Sequence, residues 1–135
     1  MWATIVDNNG VVCAVANTGA GSNAQWLGSR VISAQKANTA NACSLNTSLA
    51  LSTANLWAAT QPGGSLFGLQ FSNPVNPAVA YAGDPADYGN IDDPMVGGLI
   101  GGVNVFGGGV ALYDVAGTPI GCYRHEWRQF LWRSH

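Results

Sequence analysis

Charge is what this 135-residue chain has least of. Only 9% of its residues are Asp, Glu, Lys or Arg, against roughly 25% in an ordinary soluble domain. Lys36 is the single lysine, and Arg30 is the only other cation in residues 1–120. A nucleic-acid partner needs a basic stripe that displaces counterions, and a net charge of −2 with five cations supplies none. Histidine is missing until His125, so no Ser–His or Cys–His pair can be built from the body of the chain. The three cysteines (Cys13, Cys43 and Cys122) are widely spaced without a C-x-x-C, which defines neither a disulfide framework nor a zinc site. Cys13 and Cys43 read as buried free thiols.

Other absences narrow the class further. Met1-Trp2 leads almost directly into Thr4-Ile5-Val6, with no basic segment, apolar core or small-residue cleavage site of a signal peptide. The 18 uncharged residues from Val96 to Tyr113 touch the length of a membrane span, yet seven are glycine and a turn pattern follows at once, so no span is expected. High net charge with low hydrophobicity, the mark of disorder, is absent too: 47% of the chain is apolar.

What is present reads as one small α+β domain. Ala3–Asp7 and Val11–Ala16 are β-branched runs joined by Asn8-Asn9-Gly10, a hairpin signal. Ser22 or Asn23 is placed to cap a helix carrying Leu27, Val31 and Ala34 on one face and ending near Ala42. Leu49, Leu56 and Trp57 predict a second, shorter helix stopped by Pro62-Gly63-Gly64. Ser65–Ser72 reads as a short strand. Asn73–Pro94, with four of the six prolines and four aspartates, reads as a polar excursion serving as a binding lid or an oligomer contact. Val103–Phe106, Gly107-Gly108-Gly109 and Val110–Asp114 read as strand, kink and strand, with a return strand from Thr118. The expected fold is one antiparallel sheet with packed helices.

No constellation in this pattern carries catalysis. The glycines match neither a dinucleotide fingerprint nor a P-loop; Gly107–Gly109 read as a bulge, or as a place where another backbone or a flat ligand comes close. Asp84, Asp87, Asp92 and Asp93 lack calcium-loop spacing and read as a solvated acidic loop. Arg30 and Lys36 read as ordinary surface charges, and Trp26 and Trp57 as core or interface aromatics.

Four segments together resemble the GlcG/HbpS-type haem-binding family, which includes the C-terminal domain of PduO-type corrinoid adenosyltransferases. They are ATIVDNNGVV (3–12), AQKANTANA (34–42), QPGGSLFGLQFSNPV (61–75) and GGVNVFGGGVALYD (101–114). The resemblance implies a profilin-like sheet with flanking helices, a homo-oligomer, and haem or a related tetrapyrrole as ligand. It makes Lys36, Phe106, Gly107, Gly108 and Gly109 the candidate cofactor-binding residues, a Gly-rich surface beside an aromatic being suited to a flat apolar ligand. Some members are described as haem-degrading, so an enzyme of the same family is the alternative, and a non-functional fragment a third reading. The family places a helix before the first strand, and any iron ligand on it has no counterpart here. The expected compartment is periplasmic or secreted if a missing N-terminus carried a signal, and cytoplasmic otherwise.

The resemblance stops at Gly121, leaving residues 1–121 as the domain and 122–135 as an aberrant tail. Where the family continues its last strand, this chain carries three arginines, Glu126, both histidines and two of the five tryptophans. If Arg128 and Arg133 use CGN codons, the +1 frame yields glycine after each tryptophan and permits a family-like S-G-D-x-S-C run. Residues from about 122 on are therefore read as a frameshifted translation, the alternative being an aromatic-basic amphipathic tail. A domain so altered is expected to expose a sheet edge and to associate.

Overall fold

The computed structural model describes residues 1–46 and 49–121. The tail reading, with its frameshift and its two histidines, lies outside the described residues.

The chain opens on the expected hairpin. Strand β1 (Trp2–Val6) pairs antiparallel with β2 (Val12–Asn17), with Trp2 opposite Asn17 and Ile5 opposite Ala14. Between Ile5 and Val6 the register slips by one residue, which makes Cys13 the extra residue of a bulge. Such a bulge sharpens the twist of the ribbon. Trp2 and Val6 of β1 are buried, as are Val12, opposite Val6, and Val15, opposite Thr4.

Helix α1 (Gly28–Cys43) packs across β1, where the hydroxyls of Thr4 and Ser33 hydrogen-bond at 2.6 Å. It begins later than the sequence implies. Ser22–Ala24 forms a 3₁₀ turn, Gln25 is extended, and neither Ser22 nor Asn23 caps a helix. Val31 and Ala34 are buried as expected, whereas Leu27 is left at the surface. The second helix breaks into two 3₁₀ turns, Thr53–Leu56 and Ala58–Thr60, of which Ser52 caps the first by a capping box with Asn55. Only Leu56 of its apolar stripe is buried; Leu49 and Trp57 are exposed, and Trp26 is 72% exposed, so neither tryptophan is a core residue.

Ser65–Ser72 is not a strand. A turn leads into the single helical turn α2 (Leu69–Ser72), where Phe71 is exposed. Helix α3 (Pro77–Ala80) follows, with Asn76 accepting from the Ala78 N–H and proline in its first turn.

The excursion through residue 94 is also not a lid. Ala80, Tyr88 and Met95 join Trp2, Val6, Val12, Val15, Val31, Ala34 and Ile100 in the core. The link is ionic. Arg30 of α1, only 1% exposed, is paired with both carboxylate oxygens of Asp93 and donates to the Ala80 carbonyl at 2.8 Å. The Tyr88 ring lies 3.6 Å from its guanidinium. Arg30 is thus no surface charge and Asp93 no solvated acid: a planar guanidinium enters the interior only when its donors are matched, and here the excursion matches them.

The described residues are α+β, with a two-stranded sheet. The strands expected at Val103–Phe106 and Val110–Asp114 do not join it. Instead, α1 and the 3₁₀ turn after it satisfy the first of these through side chains. Asn38 donates to the Gly102 carbonyl, Thr39 accepts from the Asn104 N–H, and Lys36 donates to the Gly107 carbonyl at 2.9 Å. Thr53 donates to the Phe106 carbonyl and accepts from the Gly109 N–H. Backbone groups so occupied are not free to form a ladder. Residues 112–120 do fold back on themselves, with Tyr113 opposite Pro119 and the Ile120 N–H on the Leu112 carbonyl.

Among the cysteines, Cys43 is a free, half-buried thiol and burial pushes its pKa up. Cys13 is disulfide-bonded, so the free-thiol expectation holds for Cys43 alone. No helix among the described residues is long and apolar enough to cross a membrane.

Candidate functional site

A cleft of about 610 Å³ separates β1 from residues 107–112, with α1 as its base. That volume falls within the roughly 300–1,000 Å³ of small-molecule sites. Ile5, Ile32, Ala37, Val110 and Leu112 give it apolar walls, and Thr4, Ser29, Ser33 and Asn41 add neutral polar groups. Among the described residues no Asp or Glu lines it, and Lys36 is the one charged side chain on its walls.

The local sequence explains this shape. Ser29, Ile32, Ser33, Lys36 and Ala37 recur at three- and four-residue intervals, which places them on one face of α1. The opposite wall is set by Gly109. A Cβ there would stand 2.6 Å from both the Lys36 carbonyl oxygen and Thr53 Cγ2, so only glycine lets the chain press this close to α1. The sequence left a bulge, a neighbouring backbone or a flat ligand as explanations for the triple glycine; the neighbouring backbone is that of α1.

Of the five candidate residues, Lys36, Gly107, Gly108 and Gly109 line this one cleft. Phe106 does not: it is 61% exposed outside it, held by its carbonyl to Thr53 and by its N–H to Asn104. Sequence reasoning missed Ile32 and Ser33, whose face shared with Lys36 was legible in the helix periodicity, and Ile5 and Leu112, which carried no such signal.

The cleft also contains a sheet edge. Thr18 N–H bonds to the Met1 carbonyl and Asp7 N–H to that of Val11. Pairs of an antiparallel ladder alternate in bonding, so Ala3 and Ile5 face β2 while the backbone groups of Trp2, Thr4 and Val6 turn outward. Among the described residues these meet no backbone partner. At one end the chain closes in, since Gly121 lies against the backbone of Val6 and Asp7.

A second, smaller hollow lies between the hairpin turn and residues 114–121, with Asp7 and Asp114 on its walls. Each carboxylate is already engaged in its own turn, Asp7 by the N–H groups of Asn9 and Val11, and Asp114 by those of Ala116 and Thr118. No group of three His, Cys, Asp or Glu placed to hold a metal occurs among the described residues. The cleft can therefore hold a flat or extended apolar molecule and draw in a negative group through Lys36; among the described residues it presents no nucleophile–base pair. Comparison with protein-family models, with curated proteins and with solved structures finds no match for this chain.

Proposed function

We propose that this chain is a non-catalytic binding domain for haem or a related tetrapyrrole, with the profilin-like GlcG/HbpS architecture and a homo-oligomeric state. The observation that carries the reading is the cleft between β1, α1 and the triple glycine, because four of the five residues singled out by the resemblance line it. Its residues fit the group. The volume is of the right order, the walls are apolar, and among the described residues no carboxylate repels the two propionates of haem. Lys36 would hold a propionate, exchanging its hydrogen bond to the Gly107 carbonyl for a charge-assisted one. Gly107 and Gly108, both exposed, offer a side-chain-free surface to the flat macrocycle. Bound haem would supply an iron centre; the resemblance carries no axial ligand over to this chain.

Homo-oligomer formation is supported by the surface: Trp26, Trp57, Phe67 and Phe71 are exposed on a body with little charge to keep copies apart.

Titration of the purified protein with hemin tests the reading. A saturable Soret shift that weakens at least several-fold in Lys36→Met is expected. A shift that never saturates would refute it. Loss of the Soret band under reductant and oxygen, with release of a cleaved product, would favour the enzyme instead.

A further inference from the structure

Hydrogen bonding on the cleft walls has a direction. Thr4, Ser29 and Ser33 line the cleft, each half-buried. Ser33 Oγ lies 2.8 Å from the Arg30 carbonyl oxygen and 2.6 Å from Thr4 Oγ1. Two oxygens come this close only with a proton between them. A carbonyl has none to give, so the Ser33 proton goes to Arg30 and the contact with Thr4 is made by the Thr4 proton. Ser29 likewise donates to the Trp26 carbonyl at 2.7 Å. All three hydroxyl protons are thus committed within the protein, and these oxygens turn lone pairs to a ligand. Farther along α1 the sense reverses, since Lys36 and Asn41, also on the walls, carry N–H donors. Ser29 and Lys36 are seven positions apart, about 10 Å along the helix.

Resting on the tetrapyrrole reading above, we propose that the cleft takes an open-chain tetrapyrrole, whose terminal lactam rings carry N–H groups, in preference to haem. Haem meets the donor end with its propionates and has nothing for the acceptor end, because its ring nitrogens hold the metal and the rest of its periphery is apolar. Seated there, it covers the oxygens of Thr4 and Ser29 with carbon, and they lose water without gaining a partner. An open-chain tetrapyrrole brings both kinds of group: carboxylates for Lys36 and Asn41, and lactam N–H for Thr4 and Ser29. A site matched to the N–H of its ligand discriminates against an analogue without it, since that analogue leaves the polar atoms of the site unpaired.

The test titrates the full chain, by absorbance, with hemin, with biliverdin, and with a biliverdin bis-lactim ether that keeps its propionates while its terminal rings have lost their N–H. Biliverdin is expected to saturate and to bind roughly tenfold more tightly than either of the others, the worth of one or two hydrogen bonds. Thr4→Val keeps the β-branched shape and removes the hydroxyl. It should weaken biliverdin several-fold and leave hemin and the lactim ether unchanged. If the melt of that variant shows it unfolded, the lactim ether on the unaltered protein decides. Hemin or the lactim ether binding as tightly as biliverdin, or Thr4→Val weakening all three alike, overturns the proposal. Saturable hemin without biliverdin binding would remove this proposal alone; no saturable binding of either would remove the tetrapyrrole reading with it.

Discussion

Replacing Asp93 by Asn tests whether the pair with Arg30 holds the 73–94 excursion onto the core. The Asp93 carboxylate accepts four N–H groups: Nε and Nη2 of Arg30, and the backbone amides of Gly89 and Met95 at 2.7 and 2.9 Å. Asparagine keeps one oxygen. If that oxygen takes the place of Oδ1, it retains Arg30 Nη2 and Met95, and the new amide nitrogen points a donor at Arg30 Nε and Gly89. Two buried donors lose their acceptor, at about 1–3 kcal/mol each. Independently, removing one member of a buried ion pair costs about 3–5 kcal/mol, because the surviving charge stays desolvated. The two routes meet at about 3–5 kcal/mol, a large part of the roughly 5–15 kcal/mol that keeps a domain folded. For a chain of this length the melting temperature should fall by about 10–20 °C. Urea unfolding followed by tryptophan fluorescence gives the free energy directly. Arg30→Met and the double variant complete a cycle whose coupling should exceed about 1 kcal/mol and change little with added salt. A cost below about 1 kcal/mol for Asp93→Asn, the worth of an exposed pair, would refute the argument.

Two further outcomes follow from the packing. Gly109→Ala should destabilise by about 1–3 kcal/mol, since the new methyl has nowhere to go between the Lys36 backbone and Thr53. Gly97→Ala, at φ +91° with open space around it, should cost only about 1 kcal/mol of backbone strain; equal losses in thermal melts would contradict the close-approach account. Burial raises the Cys43 thiol above its ordinary value, so its iodoacetamide labelling near pH 8, read on the Cys43 peptide, should be slower than in urea-unfolded chain. The sign for stability follows: a folded-state pKa above the unfolded one favours the native state at neutral pH, and this contribution is lost as pH rises past the unfolded value. Labelling as fast as in urea would show the thiol to be accessible.

The opening hairpin was readable because it is local: alternating β-branched residues and an Asn-Asn-Gly turn each act over a few positions. The apolar face of α1 was readable for the same reason. Arg30 was misjudged because the residue that buries it stands 63 positions away, and nothing in either neighbourhood announces the pairing. The strands expected after residue 102 have suitable composition, yet strand formation also needs a free partner edge. Here Asn38, Thr39, Lys36 and Thr53 bind that backbone first, an outcome decided by where α1 lies rather than by propensity. Four of the five candidate site residues meet in one cleft because helix α1 and the glycines are in contact; Phe106, next to them in sequence, is turned out of it by its bonds to Thr53 and Asn104.

That mode of holding residues 102–109 bears on how this chain tolerates change. A β-ladder is made from groups that every residue except proline carries, so most substitutions along a strand leave its bonds intact. Here the equivalent bonds are spelled out by an asparagine, two threonines and a lysine. Unlike the backbone bonds of Val103 to Asn73 and of Thr53 to Gly109, each of these rungs is lost to a single substitution on a different segment, and the path of the triple glycine is inherited in part through residues remote from it in the chain.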